Sequence, residues 1–185
     1  LQGKIAHFFQ ESRVIMKKTT LLIAALFGSV MAAQAQYSQN LTLSNLNIRI
    51  GGAYPMEDRT RDFTGNQFAI GFDFRNSYSL IKGSQGYFSF DWYAGSSSGK
   101  KGKIFPILWN QKFTLSQKEG FAPYYFAGVG MASVDFTSQK WVFAYRGGVG
   151  VDLGERIFTE LTYLGSEAQG GVRVNSLGLF VGYKF

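Results

Sequence analysis

The 185-residue sequence contains no cysteine and a single histidine, His7. Without cysteine no disulfide can staple the chain, so stability must come from a core or from a closed, hydrogen-bonded sheet. The chain also lacks the roughly 20 consecutive apolar residues that a membrane-spanning helix requires. Its longest such run, LLIAALFGSVMAA (Leu21–Ala33), has 13. A polytopic helical membrane protein is thereby excluded. Charged residues are sparse at 17%, whereas aromatics also reach 17% and glycines number 23.

The short apolar run has its own explanation. MKKTT (Met16–Thr20) supplies a start methionine and a basic segment, the apolar stretch follows, and Ala33-Gln34-Ala35 fits a small-x-small cleavage site. Those are the three parts of a secretory signal peptide, with a buried helix or membrane anchor as the competing reading. Residues 16–35 are therefore expected to be a signal peptide and residues 1–15 an upstream extension foreign to the working protein. Residues 36–185 form one domain. Without residues 1–35 the chain loses Lys4, Arg13, Lys17, Lys18 and Glu11, and its net charge falls from +7 to +4. So modest a charge on an exported chain argues against nucleic acid as a partner.

His7 leaves with the leader, and the remaining chain has neither histidine nor cysteine. This removes Ser-His-Asp and Cys-His catalysis and any metal site built on those ligands. No carboxylate or Ser-Lys pair is placed to replace them, so no enzyme, cofactor or metal is expected. GGVGVDLG (Gly147–Gly154) has the wrong spacing for a phosphate-binding loop and sits in a strand-like stretch. Glu57, Asp58 and Asp62 could ligate a divalent cation, but acids alternating with bases are the ordinary composition of a solvated loop.

What the chain does have is a period of two from residue 46 onward. Leu46, Ile48 and Ile50 alternate with Asn47, Arg49 and Gly51; Phe68, Ile70, Phe72 and Phe74 alternate with Gln67, Ala69, Gly71 and Asp73. The rhythm recurs in YFSFDWYAG, IFPILWNQKF, FAYRGGVGVDL, RIFTELTYL and the closing LGLFVGYKF. PYYFAGVGMASVDF (Pro123–Phe136) shares it, with neither parity clearly outward. Eight strands result, several of nine residues or more. Soluble strands run about 5–6 residues, whereas a tilted transmembrane strand needs about 9–11.

With the amino terminus on the periplasmic side, Pro55–Asn66, Gly95–Lys103, Thr137–Lys140 and Gly165–Arg173 become extracellular loops. Asn76–Gly86, Ser116–Phe121 and Gly154–Glu155 become periplasmic turns. An even strand count returns the carboxyl terminus to the periplasm.

Alternation alone leaves the inner face undecided, and a soluble barrel or sandwich competes. The apolar parity is rich in aromatics that would overfill an eight-stranded lumen, whereas the other is rich in Gly, Ala and Ser. With the signal peptide, this points to an all-β, eight-stranded antiparallel up-and-down transmembrane β-barrel. Its lumen would hold a charge network of Arg49, Asp73, Arg75, Asp91, Lys112, Arg146 and Glu160. Asp152 and Lys184, near strand ends, fit rim and lumen equally. The mixed signs favour a salt-bridged plug over a water channel.

FPILWNQKF followed by APYYFAGVGMASVDF, then YRGGVGVDLGERIFTELTYL and the terminal aromatic strand, resemble the small eight-stranded outer-membrane β-barrels of Gram-negative bacteria, the porin-like or OmpA-like barrels. The resemblance spans the leader and residues 44–185. It implies an outer-membrane address, with lipid and lipopolysaccharide as surroundings and the barrel-assembly machinery as a partner in biogenesis. Tyr183 and Phe185 fit that family's terminal assembly signal, although Phe180 stands where the signal often has glycine. Lys100, Lys101 and Lys103, in the basic GSSSGKKGK segment, could contact lipopolysaccharide phosphates. The expected role is a plugged structural or surface-contact barrel, monomeric by preference. A narrow channel for small or hydrophobic solutes is the alternative.

Overall fold

The computed structural model describes residues 45–75, 79–116, 120–168 and 173–185. The expected signal peptide and upstream segment lie outside them. Eight strands form: β1 (Leu46–Pro55), β2 (Gln67–Arg75), β3 (Gln85–Ser97), β4 (Lys100–Thr114), β5 (Phe121–Asp135), β6 (Gln139–Leu153), β7 (Ile157–Ser166) and β8 (Ser176–Lys184). They pair in sequence order into a closed antiparallel barrel. β8 completes it against β1, with Asn47 opposite Lys184 and Tyr54 opposite Leu177. Closure removes both sheet edges, so the apolar β8 is paired on both sides instead of exposing an edge. Among the described residues no helix is long and apolar enough to cross a membrane.

Parity separates the two faces. Ile50, Phe68, Phe72, Trp92, Phe105, Phe143, Val149, Leu161, Leu179 and Val181 are exposed on the outside. Arg49, Ala69, Asp91, Ile104, Asn110, Ala144, Arg146 and Phe180 are buried within. β5 resolves as well: Tyr124 and Phe126 point inward, Tyr125 and Val129 outward. The inner face is therefore less uniformly small than its composition suggested. Space comes from pairing. Gly148 lies opposite Phe126 and Gly150 opposite Tyr124, and Gly182 lies opposite Phe158. A Cβ at Gly148 would stand 2.6 Å from the Phe126 ring, and one at Gly150 2.5 Å from Tyr124. Each bulky ring occupies the volume its partner leaves vacant.

Two connections depart from expectation. GSSSGKKGK is not a flexible loop: β3 and β4 run through it to a two-residue turn at Ser98–Gly99, where both residues take positive φ. Lys100, Lys101 and Lys103 are consequently strand residues. Pro55–Asn66 is not simply a loop either, because it contains a short helix, α1 (Asp58–Thr64). Thr60 and Thr64 are fully buried on it. Thr60 Oγ1 donates to the Arg173 carbonyl at 2.7 Å, and Gln67 Nε2 donates to Thr64 Oγ1 at 3.2 Å. The helix ends at Gly65, whose φ of 56° suits glycine.

Replacing Gly148 by Leu is expected to lower unfolding free energy in detergent by about 1–3 kcal/mol through overpacking. The neighbouring Gly147→Leu faces outward, where a Cβ meets only the Phe126 carbonyl at 3.8 Å. It should change stability by no more than about 0.5 kcal/mol. Urea titration followed by tryptophan fluorescence measures both.

Candidate functional site

The lumen contains three layers. The central one joins polar side chains from seven strands. Arg49 on β1 donates to Asp73 Oδ2 on β2 at 2.5 Å and to Asp91 Oδ1 on β3 at 2.6 Å. Its Nη1 also lies 3.6 Å from Glu160 Oε2 on β7. Arg146 on β6 donates to Asp91 Oδ2 at 2.9 Å, to Asn110 Oδ1 on β4 at 3.2 Å and to the Tyr87 hydroxyl at 3.2 Å. Tyr124 on β5 donates to Glu160 Oε1 at 2.9 Å. β8 joins through Phe180, whose ring centroid is 5.6 Å from the Arg49 guanidinium carbon. Asp91 thus bridges two guanidinium groups, and Arg49, Asp73, Asp91 and Arg146 are all buried.

Burying ions is costly unless each is paired and its remaining hydrogen-bonding capacity used. Gly71 helps here, because a Cβ at that position would collide with Asp91 Oδ1 and the Arg49 guanidinium. Asn110, Tyr87 and Tyr124 were not expected as members of this cluster. Asn110 and Tyr87 share inward parity with the charges, and the β4–β5 pairing would have placed Tyr124 once its parity was known.

The expected single charge network is in fact divided. Lys112 and Lys184 both engage Asp152, at 3.0 Å and 2.8 Å, in a separate cluster nearer the end where β1 begins and β8 finishes. Asp152 therefore faces inward with two ammonium partners, partly hydrated, its side chain 14% exposed. Arg75 also stands apart, donating only to Asn47 Oδ1 at 3.2 Å among the described contacts. Between these groups and the central layer lies a cavity of 180 Å³, lined by Asn47, Asp73, Arg75, Lys112, Asp152 and Glu160 among others.

The third layer, toward the loop end, is apolar: Ala53, Tyr93, Ile104, Leu108, Val134, Val142, Leu164 and Phe180 pack together. Above it sits α1, with Phe63 stacked on Phe136 at 5.3 Å. Lys100 turns its Nζ over the Phe63 ring at 4.9 Å, whereas Lys101 and Lys103 are exposed on the parity of Phe105. The three lysines therefore do not act as one patch. Asp58 is paired with Arg61 rather than gathered with Glu57 and Asp62. Among the described residues no group of three acidic, histidine or cysteine side chains is placed to hold a metal. At the terminal end, Tyr183 and Phe185 pack edge to face at 5.1 Å, and Arg156 donates to the Tyr183 hydroxyl at 2.8 Å.

No protein-family model matches the chain, and no curated protein matches it by sequence. Solved structures do match. The outer-membrane enzyme PagL is similar over 76% of this chain and 99% of its own, with 14% identity and a TM-score of 0.58. Neisserial surface protein A, NspA, is similar over 77% of this chain and 98% of its own, with 15% identity and a TM-score of 0.50. The Yersinia pestis outer-membrane protein Ail has 18% identity over 76% of this chain and 98% of its own, with a TM-score of 0.48. The chain has the fold of the eight-stranded outer-membrane β-barrels.

Arg146→Met leaves a buried carboxylate with one partner fewer and should cost about 3–5 kcal/mol of folding free energy. Lys184→Met, in the partly hydrated cluster where Lys112 still holds Asp152, should cost about 1 kcal/mol or less. Detergent-refolded protein titrated with urea distinguishes them.

Proposed function

We propose that the chain is an integral outer-membrane protein with a plugged lumen and a structural or surface-contact role. One observation carries the reading: large apolar side chains are exposed on the outside of every strand of the barrel. A soluble monomer rarely exposes a contiguous apolar patch beyond a few hundred Å², so an apolar band around the circumference calls for lipid. Its height is suitable. The nine residues of β8 extend about 30 Å at roughly 3.3 Å each, or about 23 Å along an axis tilted by about 40°. An outer-membrane apolar band is about 25 Å tall.

The central ion-pair layer and the apolar layer beyond it support a plug over a channel. Side chains from opposite walls meet in both, and α1 lies across the loop end. In this reading the chain termini face the periplasm, and the loop end, with α1, faces outward. The fold also accommodates catalysis, since PagL is an outer-membrane enzyme. Against an enzymatic role here, residues 36–185 contain neither histidine nor cysteine, and the buried carboxylates are engaged with guanidinium groups.

Lys101 and Lys103 point outward just past Phe105, where an aromatic girdle gives way to headgroups, and there they contact lipopolysaccharide phosphates. Lys100 serves instead to hold α1. Tyr183, outward on the closing strand, and Phe185, just beyond it, are the contact for the barrel-assembly machinery. The protein works as a monomer.

In planar bilayers the purified protein is expected to give no unitary conductance steps; reproducible steps would replace the plug with the narrow-channel reading. Charge reversal, Lys101→Glu with Lys103→Glu, should weaken lipopolysaccharide association severalfold, while Lys100→Glu changes it little. Co-sedimentation with lipopolysaccharide reads the difference, and unchanged association in the double variant would remove the lysines from that role.

A further inference from the structure

The cavity at the terminal end carries a charge gradient that no part of the plug requires. Its inner wall belongs to the central layer, where two guanidinium groups, Arg49 and Arg146, face three carboxylates, Asp73, Asp91 and Glu160. With all five ionised that layer has a net charge of −1, and of its charged groups the two carboxylates Asp73 and Glu160 are the ones that line the cavity. Two of its carboxylate oxygens, Asp73 Oδ1 and Glu160 Oε2, are buried and accept no hydrogen bond. Both residues are at least nine-tenths buried and line the cavity. The outer wall has the opposite sign. Arg75 has no carboxylate partner among the described residues, and Lys112 and Lys184 share the single carboxylate of Asp152. Three cations against one anion leave it at +2.

We infer that this cavity binds a small zwitterion of the amino-acid type, its ammonium on Asp73 and Glu160 and its carboxylate toward Arg75 and the two lysines. An ammonium group has three donors and no acceptor, which suits the two acceptor atoms, Asp73 Oδ1 and Glu160 Oε2, that lack a hydrogen bond on the cavity-lining carboxylates. A carboxylate at the outer wall meets a guanidinium able to engage it in a bidentate fork. The size agrees. At about 30 Å³ per water-sized atom group, the 180 Å³ cavity has room for about six non-hydrogen atoms, as in glycine or alanine. The aromatic rings of Tyr87, Tyr124 and Phe158 flank the same space.

The test uses the full barrel folded in detergent micelles, its folding verified by heat-sensitive gel mobility, and titrated by two-dimensional NMR. Glycine should give saturable shifts at Asn47, Arg75 and Lys184, ethylamine weaker ones and acetate none. Arg75→Gln, outside the central layer, should weaken glycine about tenfold and leave ethylamine unchanged. Asp73→Asn should abolish both, and the Arg75 variant carries the test if the Asp73 variant does not fold. Absence of saturable shifts with glycine would overturn the proposal, as would equal binding of acetate. Identical shifts with sodium ions would reduce the site to a simple cation site. Tighter binding of phosphoethanolamine would make the outer group a phosphate, as in a phospholipid headgroup, and reject the amino-acid class. None of these outcomes bears on conductance, so the plugged-barrel reading stands or falls separately.

Discussion

A guanidinium placed in the middle of a β-barrel can be neutralised only by its neighbours, and Arg49 draws those neighbours from three other strands. Asp73 is supplied by the strand beside β1, Asp91 by the next strand, and Glu160 from around the other side of the closure. A register slip of one residue in any of these strands would turn its carboxylate outward into the apolar band. The ion-pair layer therefore sets register for the whole barrel. Outside, lipid demands apolar side chains; inside, each charge demands its counterpart at one height. Both demands act on the same alternating strands.

The outline of this arrangement was legible because alternation is a strong signal when it persists through long strands. Arg49, Asp73, Asp91, Arg146 and Glu160 could be assigned to one face from their parity alone. Parity carries no height, however, and that is why Lys112 looked like a member of the same network although it pairs with Asp152 instead. Height depends on which residues stand opposite one another, and that depends on turn lengths. The β3–β4 connection illustrates the point: Gly, Ser and Lys read as a flexible loop, yet a turn at Ser98–Gly99 lets the ladder run on to Ser97 and Lys100.

Helix α1 escaped for a different reason. Seven residues make barely two turns, and its buried face consists of Thr60 and Thr64 rather than an apolar stripe. Those threonines answer to a tertiary environment, the mouth of the barrel and the Arg173 carbonyl, that composition does not encode. The faint local signals were Asp58 in its first turn and Gly65 immediately after it. The helix also makes the two ends of the barrel unlike. One is roofed over an apolar layer; the other opens on a polar cavity lined by both signs of charge. In the proposed orientation, small polar solutes would meet the second end and macromolecules beyond the membrane the first.

The pairing of inward glycines with inward rings has an evolutionary consequence. Phe126 and Gly148, Tyr124 and Gly150, and Phe158 and Gly182 each share one volume across a ladder. Neither member can drift alone, since a larger residue on one side evicts the ring on the other. The two can be exchanged, a ring arriving on one strand as it leaves its neighbour. Descendants of this chain should therefore vary at these positions in concert, and overall sequence identity can fall far while the summed bulk across each pair stays nearly constant.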